Sequence, residues 1–464
     1  MVQRNVIARH SPARRDLYAL MLLSFLLNLV RLGTKSVWLD ESTSVLYGRL
    51  SFATLLPVLA GGDPNMGLYH LLLNLWVRAF GESEVAVRSM SALFGAFAVA
   101  SVYLLGVRLF GRTAGLVAGL LFALDAFVVK YAQTARSYAL LVLLVSLSSY
   151  FLVIELDRPT RPNRIAYAIT STLAVYAHYF AAYVLVVHFA TVLVMRRRGA
   201  LKREWLEVSA AILLLCLPEV IIAYHSGAGW IGWIKQPSVN DLWAVLVALA
   251  GGSRLLLIAL LVCGFWATVC AVRERRYWPQ GFVTAWLVVP IALSFTASFV
   301  QPMFLDRYLI ICVPALVLFG ASAIAELRRP VATGMLVALL VWLSATRLAV
   351  YYGRDGLENW RDATRSVLND MRPSDAIVFY PPYAQRPFEY YQRQAEVSQP
   401  PRALAPAPVD QQRVWLVIRE SDTADHFFAV QRLQASLTKK YRPAGEWRFS
   451  GVELQLYVPN IRIR

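Results

Sequence analysis

An all-α polytopic membrane protein with a small C-terminal α/β domain is the fold class the sequence predicts. Three observations lead there. Of the 464 residues, 58% are hydrophobic and only 16% charged, long apolar runs recur along the chain, and basic residues collect in the short segments between alternate runs. A soluble domain of this length does not carry that composition, so the bilayer is the solvent. The runs do not alternate in polarity, which excludes a transmembrane β-barrel.

At roughly 20 residues per crossing of a hydrocarbon core about 30 Å thick, the chain holds about eleven spans. They lie near 17–32, 85–107, 113–129, 136–156, 165–178, 180–195, 206–224, 254–272, 281–299, 307–327 and 331–350. The first lacks a small-residue cleavage site and is read as a retained helix rather than a signal peptide. Basic residues fall at the start and at every second turn: Arg4, Arg9, Arg14 and Arg15; Arg108 and Arg112; Arg158, Arg161 and Arg164; Arg196, Arg197, Arg198, Lys202 and Arg203; Arg273, Arg275 and Arg276; Arg328 and Arg329. That is the positive-inside pattern, with a cytoplasmic N-terminus. It accounts for much of the net charge of +17 with no nucleic-acid partner.

The first two spans are separated by an outer loop, 33–84, holding Trp38-Leu39-Asp40-Glu41 and the apolar stretch 66–80. That stretch mixes His70, Asn74, Trp76 and Arg78 among leucines, as an amphipathic helix at the interface does. Read instead as a span, it would invert the arginine pattern behind it. An odd number of spans puts the C-terminus outside. Residues 1–352 then form the membrane domain and 353–464 an extracytoplasmic α/β domain, with strands at 376–380, 414–418 and 452–458 and helices at 360–371 and 426–437. The proline-rich stretch 400–408 reads as a loop within it. Cys216, Cys263, Cys270 and Cys312 all sit in apolar runs as small core residues, without disulfide or zinc spacing.

Asp125 and Glu219 are the main ionisable residues within spans, each toward an outer end. Other polar residues gather in the outer loops: Asp40, Glu41, Asp63, His70, Arg88, Lys130, Tyr131, Gln133, Arg136, Tyr138, His178, Tyr179, Trp230, Trp233, Lys235, Gln301, Asp306, Arg307 and Tyr308. A polar layer at one membrane face suits a substrate with an apolar tail and a polar head.

Several stretches carry a family resemblance. Trp38-Leu39-Asp40-Glu41 follows the first span, and Asp63-Pro64-Asn65-Met66-Gly67-Leu68-Tyr69-His70 leads the interfacial helix. Phe80-Gly81-Glu82-Ser83-Glu84 with Arg88, Leu109-Phe110-Gly111-Arg112, Tyr131-Ala132-Gln133-Thr134-Ala135-Arg136-Ser137-Tyr138, Tyr176-Ala177-His178-Tyr179 and Arg307-Tyr308-Leu309 follow in order. Over most of its length the chain resembles the bacterial polyprenyl-phosphate-sugar glycosyltransferases of the C-type fold, the group of the family 39 protein O-mannosyltransferases and the lipid A aminoarabinose transferases. It departs from them at Thr134, where many relatives carry an acidic residue, and at Asn65-Met66-Gly67, where a proline-containing form is commoner.

The resemblance implies an inverting transfer at the outer face of a bacterial inner membrane, from a polyprenyl-phosphate sugar to a lipid, glycan or protein acceptor. It places the loop carboxylate at Asp40, the candidate base, with Glu41 holding the acceptor or tuning Asp40. The alternative is that one of the two caps a helix beginning at Ser42. Phosphate recognition needs interfacial cations, for which Arg136 and Arg307 are candidates with Lys130 as a third; the alternative is anchoring to lipid headgroups. Tyr131, Gln133, Tyr138, His178, Tyr179, Tyr308, His70 and Arg88 are candidate substrate contacts, whereas Trp230 and Trp233 fit an aromatic belt as well as a sugar stack. No cofactor is expected and no metal is assigned, although Asp40 and Glu41 are possible ligands. A transporter or flippase of lipid-linked sugars is the competing class; it calls for inverted repeats or broken helices with polar midpoints, neither of which the sequence displays.

Overall fold

The computed structural model describes residues 12–61, 65–196, 203–226, 232–327, 329–395, 413–420 and 424–460. Expectations for Arg4, Arg9, Asp63, Arg197, Arg198, Lys202, Trp230, Arg328 and the 400–408 loop fall outside these residues. The described chain divides into two compact units, 1–32 with 48–353 and 33–47 with 354–464.

The first unit is helical. It contains α1 (Arg14–Leu29), most of α2 (Leu39–Arg49) being in the other unit, then α3 (Phe52–Gly61), α4 (Gly67–Phe80), α5 (Glu84–Phe110), α6 (Arg112–Leu124), α7 (Ala126–Ala132) and α8 (Tyr138–Asp157). These are followed by α9 (Arg161–Ala177), α10 (Ala181–Arg196), α11 (Arg203–Ser226), α12 (Val239–Leu249), α13 (Arg254–Arg273), α14 (Tyr277–Ala297), a 3₁₀ segment Asp306–Cys312 running into α15 (Val313–Glu326), and α16 (Pro330–Gly353).

All eleven expected runs fall on helices. Among the described residues, seven helical segments are long and apolar enough to cross a bilayer: α5, α8, α11, α13, α14, the continuous Asp306–Glu326 and α16. An eighth is obtained if α6 and α7, bent by 62° at a break, count as one span. The three expected runs that fall short, α1, α9 and α10, have 16, 17 and 16 residues. Leu213, Leu214 and Phe265 are 72%, 69% and 68% exposed, an outward apolar surface that lipid, not water, accommodates. The chain is an integral, multi-pass membrane protein.

Small residues set the closest helix approaches. A Cβ on Gly106 would stand 2.7 Å from the Gly115 Cα, so α5 and α6 touch backbone to backbone after the Gly111 turn. Gly264 of α13 lies under the Phe319 ring of α15, and Gly320 accommodates Leu260 in return. With no hydrophobic driving force between helices in lipid, such van der Waals contact is a main source of association. Ion pairs hold the arginine-rich turns: Arg112 with Asp16 at 2.7 Å, Arg164 with Glu155 at 3.0 Å and Arg276 with Glu326 at 2.7 Å.

The second unit carries α2 and the C-terminal elements α17 (Trp360–Asp370), β1 (Asp375–Tyr380), α18 (Gln385–Gln394), β2 (Arg413–Arg419), α19 (Ala424–Thr438), β3 (Tyr441–Phe449) and β4 (Val452–Pro459). The sheet order is β1-β2-β4-β3, with β1 and β2 parallel and the other pairs antiparallel. Ala376, Val378, Val414, Leu416, Ile418 and Leu437 form its core. The three strands and two helices expected from periodicity are present, together with β3 and α18, which the sequence reading lacks. β3 (YRPAGEWRF) is an edge strand exposed along most of its length, and α18 (QRPFEYYQRQ) has no aliphatic residues to mark a period.

Candidate functional site

The first unit assembles a cluster of cations, tyrosines and histidines. Asp125, at the break between α6 and α7, accepts the backbone N–H groups of Phe127 and Val128 at 2.8 and 3.1 Å, which restarts the chain as a seven-residue helix in a new direction. That helix carries Lys130 and Tyr131, and the turn after it carries Gln133, Thr134 and Arg136 ahead of Tyr138. Thr134 Oγ1 donates to the Lys130 carbonyl at 2.7 Å.

Aromatic rings connect the parts. Tyr131 meets Tyr138 at 4.7 Å between centroids, Tyr138 meets His178 at 6.1 Å, and His178 meets Tyr308 at 4.9 Å. Lys130 Nζ lies 4.9 Å from the Tyr131 ring centroid, and the Arg307 guanidinium 5.3 Å from that of Trp233 and 5.6 Å from that of Tyr308. Lys130 feels the charges of Asp306 and Arg307, while Arg136 acts on His70 and, with Arg307, on His178. Arg136 thus reaches both histidines, and Arg307 lies near His178 and Lys130.

His70 and His178 are fully enclosed, at 0% and 1% exposure. Burial, reinforced by the positive charge of Arg136 and for His178 also of Arg307, lowers both from an ordinary 6.5 to about 3. Both imidazoles are therefore neutral at physiological pH. His178 lies between the Phe180 backbone N–H, 3.2 Å from Nδ1, and the Asn65 amide, 3.1 Å from Nε2. The Asn65 Oδ1 also accepts the Tyr179 N–H at 3.3 Å. Asn65 thereby joins the candidate site through a contact with a turn far along the chain, which no local pattern marks.

Two expected substrate contacts are engaged inside the protein. The Gln133 amide nitrogen donates to the Asn28 and Val30 carbonyls at 2.9 and 2.8 Å, and its oxygen accepts the Tyr351 hydroxyl at 2.9 Å. It joins the end of α1 to the end of α16. Arg88, 3% exposed, donates to the Leu32 carbonyl at 2.9 Å.

Asp40 and Glu41 belong to the second unit. The helix expected to begin at Ser42 begins at Leu39, so both carboxylates lie in its first turn and neither precedes it as the cap residue. Glu41 is buried at 1% exposure, whereas Asp40 is partly open. The Leu39 N–H is instead accepted by Glu358, at 3.2 Å.

Residues 66–222 match the family described as dolichyl-phosphate-mannose-protein mannosyltransferase. ArnT from Cupriavidus metallidurans, solved bound to undecaprenyl phosphate, superposes with a TM-score of 0.60 at 13% identity, covering 96% of this chain and 98% of that one. The archaeal oligosaccharyltransferase AglB from Archaeoglobus fulgidus, in complex with an inhibitory peptide and a dolichol-phosphate, gives 0.52 at 12% identity, covering 97% and 74%. The arabinofuranosyltransferase AftD from Mycobacteria gives 0.50 at 14%, covering 97% and 42%. No curated protein matches in sequence.

The chain shares the C-type fold of these glycosyltransferases. Within it the matched family segment spans α4 to most of α11. His70, Arg88, Lys130, Tyr131, Gln133, Arg136, Tyr138, His178 and Tyr179 lie inside that segment; Asp40, Glu41, Arg307 and Tyr308 lie outside it.

Proposed function

We propose that the chain transfers a sugar from a polyprenyl-phosphate donor to an acceptor at the extracytoplasmic face of a bacterial inner membrane, with inversion at the anomeric carbon. The observation that carries this reading is the cluster of Lys130, Arg136 and Arg307 gathered round Tyr131, Tyr138, His178 and Tyr308 in a C-type fold. A phosphate monoester leaving group develops charge as the glycosidic C–O bond breaks, and preorganised cations and hydroxyl donors stabilise it. The two neutral histidines beside the cluster add hydrogen-bonding capacity without further charge.

In this reading Arg136 and Arg307 hold the donor phosphate with Lys130 as a third cation, and Tyr131, Tyr138, Tyr179, Tyr308, His70 and His178 contact donor or acceptor. Asp40 accepts the proton of the acceptor hydroxyl as its oxygen attacks the anomeric carbon, and the polyprenyl phosphate departs from the opposite face. Single displacement inverts the configuration. Glu41 orients the acceptor. The membrane domain is 1–352, and 353–464 forms an outer domain that contributes to acceptor choice.

Transfer of labelled sugar from a panel of synthetic polyprenyl-phosphate sugars in proteoliposomes tests the reading, with Asp40→Asn as comparison at equal incorporation. Product from the native chain, lost in Asp40→Asn while donor is still bound, supports both the reaction and the base. Labelled lipid that changes leaflet in both proteins without turnover replaces the transferase reading with a flippase.

A further inference from the structure

The second unit shows what holds the Asp40–Glu41 helix. A helix N-terminus exposes N–H groups with no partner inside the helix, and a side chain just before the first turn ordinarily accepts one of them. Here the preceding residue is Trp38, whose indole has a donor and no acceptor. The acceptor comes from Glu358, 319 residues away in sequence, whose Oε2 receives the Leu39 N–H at 3.2 Å and the Trp360 Nε1–H at 2.6 Å. Its other oxygen accepts Arg419 Nε at 2.8 Å.

Glu358 is itself rigidly placed. It is 5% exposed and the Trp360 it binds is fully buried. The Asn359 N–H donates to the Ser450 carbonyl at 2.8 Å in the β3–β4 turn. In the same turn Gly451 has φ +67° and so little room that a Cβ would stand 2.6 Å from the Leu357 carbonyl. The segment leading into α2 is fastened as well. Tyr391 Oη accepts the Val37 N–H at 2.6 Å, Arg361 donates to the Gly33 carbonyl at 2.8 Å, and Arg386 donates to Thr43 Oγ1 at 3.1 Å.

We propose that Glu358 is a positioning residue for the Asp40–Glu41 pair. Its carboxylate caps α2 from the C-terminal domain and, balanced by Arg419, fixes the first turn without adding an uncompensated charge beside the pair. A tethered first turn gives the candidate base one orientation, and small losses of orientation are costly in a displacement reaction. This role rests on the assignment of Asp40 as base given above.

The test uses the full chain in lipid nanodiscs, with hydrogen exchange of the peptide covering 36–47 read beside kcat and KM for transfer. Glu358→Ala is expected to speed exchange in 36–47 at least about tenfold, the effect of losing a hydrogen bond to a charged group. It leaves α5 and α8 protected and lowers kcat about tenfold or more with donor KM little changed. Glu358→Gln, which keeps an oxygen for Leu39 and Trp360, restores most of both. Unchanged protection of 36–47 in Glu358→Ala, or faster exchange with full kcat, overturns the positioning role. Full turnover in Asp40→Asn instead overturns the base assignment, and the exchange result stands apart from it.

Discussion

The His178 imidazole packs against the Tyr308 phenol with centroids 4.9 Å apart at an interplanar angle of 51°. This contact joins the turn after α9 to the 3₁₀ segment that opens at Asp306, and so brings Arg307 into the neighbourhood of Arg136. If Tyr308 supplies a hydroxyl to the donor phosphate, Tyr308→Phe keeps the ring contact and loses only that bond. Donor KM is expected to rise about tenfold, the scale of a hydrogen bond to a charged group, with the thermal midpoint unchanged. Steady-state kinetics and a melting curve on the same preparation decide it.

The cations proposed to hold the donor phosphate are separable by geometry. Arg136→Gln and Arg307→Gln are each expected to weaken donor binding about tenfold to a hundredfold, as removal of a charge-assisted bond does. Arg307→Lys is expected to recover little, since an ammonium lacks the planar face that lies over Trp233 and Tyr308. Trp233 is 60% exposed, so Trp233→Ala should cost only about 0.5–1 kcal/mol. Titration with a polyprenyl phosphate measures all four; equal affinity in every variant removes the phosphate assignment.

Acid should destabilise the first unit through its buried histidines. His70 and His178 have folded values of about 3 against an ordinary 6.5, so below 6.5 the unfolded chain binds more protons than the folded one. Stability is then level above pH 6.5 and falls as pH drops from there toward 3. Melting curves at pH 7.5, 5.5 and 4.5 should show the decline, and His178→Asn, which cannot titrate, should show a shallower one.

Helix contact and its absence predict opposite effects for two glycines. A Cβ at Gly264 would lie 2.0 Å from the Phe319 ring, whereas one at Gly281 meets nothing within 4 Å. Gly264→Val is expected to destabilise by about 1–3 kcal/mol through overpacking, and Phe319→Ala in the same chain should relieve part of it. Gly281→Ala should be neutral or slightly stabilising through helix propensity. Unfolding in a denaturing detergent series measures each.

In the second unit, Arg413 Nε donates to Asp375 at 2.9 and 3.1 Å, and Trp415 Nε1 adds a bond at 3.2 Å. Burial pushes the Asp375 carboxyl up, but these bonds and the Arg372 N–H outweigh it and hold the carboxyl below its ordinary value. Asp375→Asn removes the carboxylate charge from Arg413, which is 12% exposed and keeps its bond to the Asp370 carbonyl, and should cost about 1–3 kcal/mol. Faster exchange in β1 and β2, with α5 unchanged, is the expected reading.

Much of this protein's fold is legible in its sequence. Apolar length marks each of the seven described segments long enough to cross a bilayer, because it is a local property set by the thickness of the hydrocarbon core. The motif around Arg136 and the pair at Asp40 stand out as candidates for the same reason, since they rest on residue type and order. Three-dimensional packing decided the rest. It moved the start of α2 to Leu39, committed Gln133 to the ends of α1 and α16, and brought Asn65 to His178. It also chose Glu358 as the cap of the carboxylate helix. Each of these is a hydrogen bond between residues remote in the chain. No local period encodes such a pairing, because a buried polar group is satisfied by whichever partner the packed helices and strands deliver to it.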